Sequence, residues 1–329
     1  MPLPTMKDVA TLAGVSQMTV SRVMRGTGYI SEDVRKRVNQ AARQIGYVHN
    51  RFKGGMAGYG NPLVGVIVPN LQNRVFTEVL SGINDRLGEK GLRPVFGVSD
   101  YSVETEEEIV YDLLSWRPLG LILTGLEHSE AVRKIATQTG VRVAEVMDTD
   151  GAPISACFGI SHRAAGAEMA RHMIERGYRR FGYLAGQGGR DLRACKRFEA
   201  FSEVVREAGA QIVDCRVSEE DSSMMLGTKL TCEMLSGQTR PDAIYTSNDD
   251  IAAGGLMYCL RNGISVPEDV ALAGFNALPF LETLPLHITT TQTPRYEMGL
   301  AAAEFVATQE GEILAAPPMQ PRLILGQTT

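Results

Sequence analysis

Long hydrophobic runs are missing from this sequence, and none approaches the roughly 18 apolar residues that a helix needs to cross a bilayer. The first residues, Met1 to Ala10, also lack the apolar stretch of a secretory signal. These two absences predict a cytoplasmic protein with no membrane partner. Cysteine is scarce: Cys157, Cys195, Cys215, Cys232 and Cys259 are an odd number with no C-x-x-C pair. A disulfide framework and a cysteine zinc site are thereby excluded, and buried free thiols are expected. Histidine is equally sparse, and His162 and His172 are not at the i, i+4 spacing of a helical metal pair. No nucleophile elbow G-x-S-x-G occurs. Gly186-Gln187-Gly188-Gly189 lacks the Lys-Ser/Thr of a phosphate loop and reads as a βα turn. No enzyme, cofactor or metal is expected.

What is present is a 329-residue chain, too long for one ordinary core and suited to one small plus two medium domains. Its 44% hydrophobic and 22% charged residues are those of a soluble globular protein. The net charge of -5 conceals an asymmetry. Met1 to Gly60 carries nine Lys/Arg against three Asp/Glu, or +6, leaving 24 basic and 35 acidic residues, or -11, in the rest. A basic end on an acidic body points to a polyanion at that end alone.

Residues Met6 to Ala13 repeat apolar side chains as a helix does, with Val9, Leu12 and Ala13 inward, and Gly14-Val15 is a natural stop. Ser16 reads as an N-cap for a second helix with Val20, Val23 and Met24 inward. Ser31 caps a third, striped by Val34, Val38, Ala41 or Ala42, and Ile45. From His49 to Pro62 the pattern dissolves among Gly54, Gly55, Gly58 and Gly60, as in a hinge. Two glycines there would cost a helix about 2 kcal/mol. From Leu63 onward, apolar strands alternate with helices: Val64–Pro69, Pro94–Val98, Gly120–Thr124, Val143–Met147, Phe181–Ala185, Ala243–Thr246, Ala271–Phe275 and Arg322–Leu325. This alternation predicts doubly wound parallel sheets covered on both faces, in an α/β body of two lobes. The expected domains are an all-α helix-turn-helix headpiece at 1–48, a hinge at 49–61 and a two-lobed sensor at 62–329. Crossovers between lobes are expected near 161, 290 and 321. The acidic run Glu104–Glu108 reads as a solvated helix start.

The opening helices have the composition of a DNA reader. Ala13-Gly14-Val15 supplies a tight crossing, and Ser16, Thr19, Ser21 and Arg22 place hydroxyls and a cation on the outer face of the second helix. The stretch "MKDVATLAGVSQMTVSRVMRGTGYISEDVRKRVNQAARQIGYVHN" resembles the headpiece of the lac-repressor (LacI/GalR) family. "LVGVIVPNLQNRVF", "GLILTG", "YTSNDDIAAGGL", "VPEDVALAGFN" and "TTTQTPRYEMGLAAAE" resemble its periplasmic-binding-protein-like sensor. Within that family, "QMTVSR", "LLSWRPLGLILT" and "VAEVMDTDGAPI" are most similar to the gluconate-repressor subgroup. The resemblance implies that Gln17, Met18 and Arg22 read bases, with Ser16, Thr19 and Ser21 mainly on phosphates. It also implies a hinge helix in the minor groove with Met56 as the apolar wedge. Two departures weaken that hinge: His49 stands where the family usually has proline, and Gly54-Gly55 disfavours a helix.

A second constellation lies at the carboxyl ends of the strands, where open α/β sheets bind ligands. Asn70, Gln72, Asn73, Asp148, Asn248, Asp249 and Asn276 each follow a strand, and Phe76 offers a ring face to a sugar. Arg193 and Arg197 are spaced i, i+4 and would hold a carboxylate. Together they match the family's effector cleft; most relatives carry aspartate at Asn276, and a neutral amide eases repulsion of an anion. The expected protein is a transcriptional regulator, a homodimer on palindromic operator DNA, controlled by a small effector with a sugar acid favoured. The alternatives are a cytosolic solute-binding module, or a regulator responding to a neutral sugar or nucleobase.

Overall fold

A computed structural model describes residues 4–47, 62–308 and 319–329. The chain begins with helices α1 (Met6–Ala13), α2 (Gln17–Arg25) and α3 (Glu32–Ile45). Each ends on glycine, and the first two start at a capping side-chain oxygen. Thr5 and Asp8 form a reciprocal capping box on α1, and the Ser16 hydroxyl accepts from the Thr19 backbone N–H at 3.1 Å to open α2. Gly14, with φ of 65°, supplies the left-handed turn that lets α2 cross α1. Ser31 precedes α3 in extended backbone but makes no side-chain cap bond.

Val9, Ala10, Ala13, Val20, Val23, Val38, Ala41 and Ala42 form the core of this small domain. Leu12, expected inside, is 46% exposed. Both α2 and α3 pack on α1, and the face they share runs through Val9, Ala10 and Ala13, which turns Leu12 to the rim. The hinge residues 49–61, with His49, the glycine pair and Met56, lie outside the described residues.

The body holds two doubly wound lobes. In the first, β1 (Leu63–Val68), β2 (Arg93–Val98), β3 (Gly120–Thr124), β4 (Arg142–Asp148) and β5 (Ala156–Ile160) form a parallel sheet ordered β2-β1-β3-β4-β5. Helices α5 (Val103–Leu114) and α6 (Glu130–Thr139) cover one face, and α4 (Val75–Glu89) covers the other. After Ser161 the chain enters the second lobe. There β6 (Arg180–Ala185), β7 (Gln211–Val217), β8 (Ala243–Thr246) and β9 (Ala271–Ala273) run parallel in the order β7-β6-β8-β9. Helices α7 (His162–Glu175) and α8 (Leu192–Glu207) pack on one face, α9 (Met224–Leu235) and α10 (Asp249–Arg261) on the other. The chain returns through β10 (Thr290–Gln292) to α11 (Arg295–Ala307), which lies on α4. It crosses once more in β11 (Arg322–Ile324), antiparallel to β10.

Strands β5, β7 and β10 were not visible as apolar runs. β7 is an edge strand with charged Asp214 and Arg216 in it, so only part of its surface is buried. β10 is three residues of Thr and Gln, held by pairing rather than by burial of large side chains. β5 follows β4 without an intervening helix, so no helical pattern sets it apart. One close packing positions the site. A Cβ on Gly166 would stand 2.0 Å from the Arg197 carbonyl oxygen, so only glycine lets α7 and α8 approach this closely.

Candidate functional site

Two sites emerge, one on the headpiece and one between the lobes. On α2, burial of Val20 and Val23 turns Gln17, Met18 and Arg22 outward, and Met18 is 63% exposed. The Ser16 hydroxyl caps the helix and lies 2.9 Å from Thr19 Oγ1. Arg25 donates to the Ser21 carbonyl at 3.1 Å. Arg22 is exposed, and a Cβ on Gly28 would come within 3.8 Å of its side chain, so the loop after α2 leaves it room. The result is a short helix presenting an amide, a thioether and a guanidinium together, the set a major groove can read.

Between the lobes, the expected residues separate into those at the opening and those beneath it. Asn73 and Asn248 line one cavity together with Asn70, Gln72, Arg74, Gln187 and Asp250, and Arg193 lines a second with Tyr101, Glu127 and Asp191. Asn248 also caps α10, accepting from the Ile251 N–H at 3.1 Å. Phe76, Asp148, Arg197, Asp249 and Asn276 are buried below. The Phe76 ring faces the Arg193 guanidinium, 5.6 Å from its centroid, and Arg193 donates to Asp191 at 2.9 Å.

Arg197 is 4% exposed and lies 3.8 Å from the centroid of the Phe275 ring. It donates to His162 Nδ1 at 2.9 Å and to the Ser247 carbonyl at 2.7 Å. Burial, then the charges of Arg197 and Arg193, pushes the His162 pKa well below the usual histidine range. His162 is therefore neutral, with Nε2–H donating to the Met147 carbonyl at 2.8 Å and Nδ1 free to accept.

Three expectations need correction. Asp148 was expected to take ligand hydroxyls, yet it is fully buried and accepts from Lys196 Nζ at 2.6 Å and the Asp150 N–H at 2.8 Å. Asp249 was also expected at the ligand. Its carboxylate instead accepts from Thr290 Oγ1 at 2.6 Å and from the Leu278 N–H at 2.8 Å, which ties α10 to the crossover, and Asp250 lines the cavity in its place. Asn276 serves through its backbone: its φ is 117°, its N–H donates to the Thr291 carbonyl at 2.9 Å, and its carbonyl accepts from Arg295.

The run Glu104–Glu108 is not simply solvated. Glu106 is buried against His128, at 2.6 Å from Nδ1, and Glu145 lies 3.5 Å from Nε2. Burial alone would lower the His128 pKa, but the two glutamates prevail and raise it to about 9. Among the five cysteines only Cys259 is buried, and Cys215 is exposed on the edge strand.

Sequence reasoning missed Tyr101, Gln187, Asp191 and Lys196. One signal was available: Arg193, Lys196 and Arg197 follow the i, i+3, i+4 spacing of one helix face. Gln187 donates to Tyr101 Oη at 3.2 Å across the cleft, a contact no local pattern encodes.

Burial pushes the Asp249 carboxyl up from 3.8 to about 6. The folded chain therefore holds this proton more tightly than the unfolded chain, and stability falls as pH rises through this window, at up to about 1.4 kcal/mol per unit. Urea melts between pH 4 and 6.5 should show that slope in the wild type and its loss in Asp249→Asn; equal slopes would remove Asp249 as the cause.

Comparison with known proteins places these features together. Residues 5–50 match the model for bacterial regulatory proteins of the lacI family, and residues 170–329 match that for a periplasmic binding protein-like domain. The HTH-type transcriptional regulator GntR of Pseudomonas aeruginosa is 36% identical over 92% of this chain and 88% of its own. The regulator IdnR of Escherichia coli is 29% identical over 93% and 91%. A lacI-family regulator from Silicibacter pomeroyi superposes with a TM-score of 0.80, at 45% identity over 99% of both chains.

Proposed function

We propose, on the premise that this chain belongs to the lacI family of bacterial regulatory proteins, that it controls its operator in response to a small sugar acid such as gluconate or a ketogluconate. The chain is a DNA-binding transcriptional regulator of that family. On this reading it acts as a homodimeric repressor on palindromic DNA. Gln17, Met18 and Arg22 read bases, Ser16, Thr19 and Ser21 hold phosphates, and Met56 wedges the operator centre. The effector sits between the lobes and shifts operator affinity only by binding one arrangement of the lobes better than the other.

Arg197 carries the choice of an acid. It is a buried cation whose hydrogen-bond partners, the neutral His162 and a carbonyl, bring no negative charge, and among the described residues no carboxylate forms an ion pair with it. Asp191 acts on it only at longer range, and a guanidinium with no carboxylate in direct contact favours an anion that can accept two parallel bonds. Arg193, already neutralised by Asp191, then shapes the site over Phe76. Asn73, Asn248 and Asp250 line the adjoining cavity and, on this reading, take the hydroxyls. Calorimetry with gluconate, 2-ketogluconate and glucose tests the reading, together with gel shifts on genomic fragments. Tighter binding of an acid, with release of the shifted fragment, is expected. Tighter binding of glucose would assign the cleft to a neutral sugar.

A further inference from the structure

The strongest unexplained feature of the cleft is Lys196, which the effector reading does not use. It stands on α8 in the second lobe, yet every acceptor it reaches belongs to the first. Its Nζ lies 2.5 Å from Glu127 Oε1 in the loop after β3 and 2.6 Å from Asp148 Oδ2 at the end of β4. It also donates to the Asp150 carbonyl at 3.0 Å. An ammonium has three N–H bonds, and all three are taken by the opposite lobe. Among the described residues, these two ion pairs of Lys196 are the only ones spanning the cleft.

We propose that Lys196 is the latch between the lobes, a positioning residue that holds Glu127 and Asp148 against α8 and favours the closed cleft.

The latch has a soft side and a hard side. Glu127 is partly exposed at the rim, so its share is screened by water. Asp148 has no exposure, and without the ammonium it would be a buried carboxylate with no ion-pair partner, held only by the Asp150 N–H. Opening the cleft to water is the natural relief. Burial alone would lower the Lys196 pKa, but hydrogen bonds to Asp148 and Glu127 outweigh it and raise the value, so the latch stays charged at neutral pH. The α8 backbone cannot follow the first lobe, because Gly166 fixes it against α7. Parting the lobes must therefore break the Lys196 bonds. Other contacts join the lobes without an ion pair: Gln187 with Tyr101, Arg193 over Phe76, Arg74 over Phe280, and the bonds of His162 to the Met147 carbonyl and of the Arg163 N–H to Asp150.

Hydrogen–deuterium exchange on the full-length, ligand-free protein tests this directly. Lys196→Met keeps the aliphatic stem and removes the charge. Amides at both lips, 125–128, 148–151 and 187–193, should exchange about tenfold faster, while β1 and β6 keep wild-type protection. Glu127→Gln, at the exposed rim and safe for folding, should give a smaller increase at the same segments. Lys196→Arg, which keeps the charge, should retain part of the protection that Lys196→Met loses. Unchanged lips in Lys196→Met and Glu127→Gln would overturn the latch. So would faster exchange spread through β6 and β8, which would make Lys196 a support of the fold rather than of closure.

Discussion

Arg197→Ala is expected to weaken binding of gluconate or 2-ketogluconate about a hundredfold or more while changing glucose affinity only a few-fold. The side chain is almost wholly buried, so whatever it binds is bound out of water. Truncating one member of a buried charged pair typically costs about 2–5 kcal/mol, and about 1.4 kcal/mol is tenfold in affinity. The neutral sugar has no carboxylate to lose. Alanine also removes the cover over Phe275 and the bond to His162, so some loss of stability is expected for either ligand. Arg197→Lys separates the two effects. It keeps the charge but not the planar fork, and should retain part of the preference for acids. Calorimetry on the three proteins decides the matter. An equal loss for acid and sugar would make Arg197 a scaffold for the cleft, and the sugar-acid reading would fall with it.

On the headpiece, Arg22→Ala should cost about 1–3 kcal/mol on the specific operator and little on random DNA, as for a side chain that bonds a base edge. The geometry distinguishes it from Arg25, which is spent on the Ser21 carbonyl near the end of α2. Arg22 is exposed beside the open Gly28 loop. Footprinting and anisotropy titrations at fixed salt measure both affinities. Equal loss on the two DNAs would move Arg22 from reading bases to holding phosphates.

Much of the architecture is local chemistry and was open to inspection. Ser16 before an apolar stripe and Gly14 after one define where α1 ends and α2 begins, because a cap bond and a left-handed turn involve only neighbours. Strands β3 and β8 stand at the residues where apolar runs occur, since a strand covered on both faces must be apolar throughout. The membership of the cleft was partly readable, because the carboxyl ends of such strands converge.

What each polar side chain does there was not readable. Asp249 and Asp250 are adjacent and chemically alike, yet only tertiary packing sends one to Thr290 in the crossover and leaves the other facing the cavity. Leu12 fits the helical period as well as Ala10 does, and the approach of α2 and α3 decides between them. Glu106 belongs to an acidic run until His128, from a different loop, is placed against it. Lys196 and Asp148 are 48 residues apart, and their bond exists only while two lobes face each other. The elements, the basic headpiece and the two-lobed class were legible along the chain, because periodicity, caps and charge balance act between neighbours. Which carboxylates meet which cations, and that Arg197 is buried with none in direct contact, followed from packing, because that depends on distances between segments that no local pattern contains.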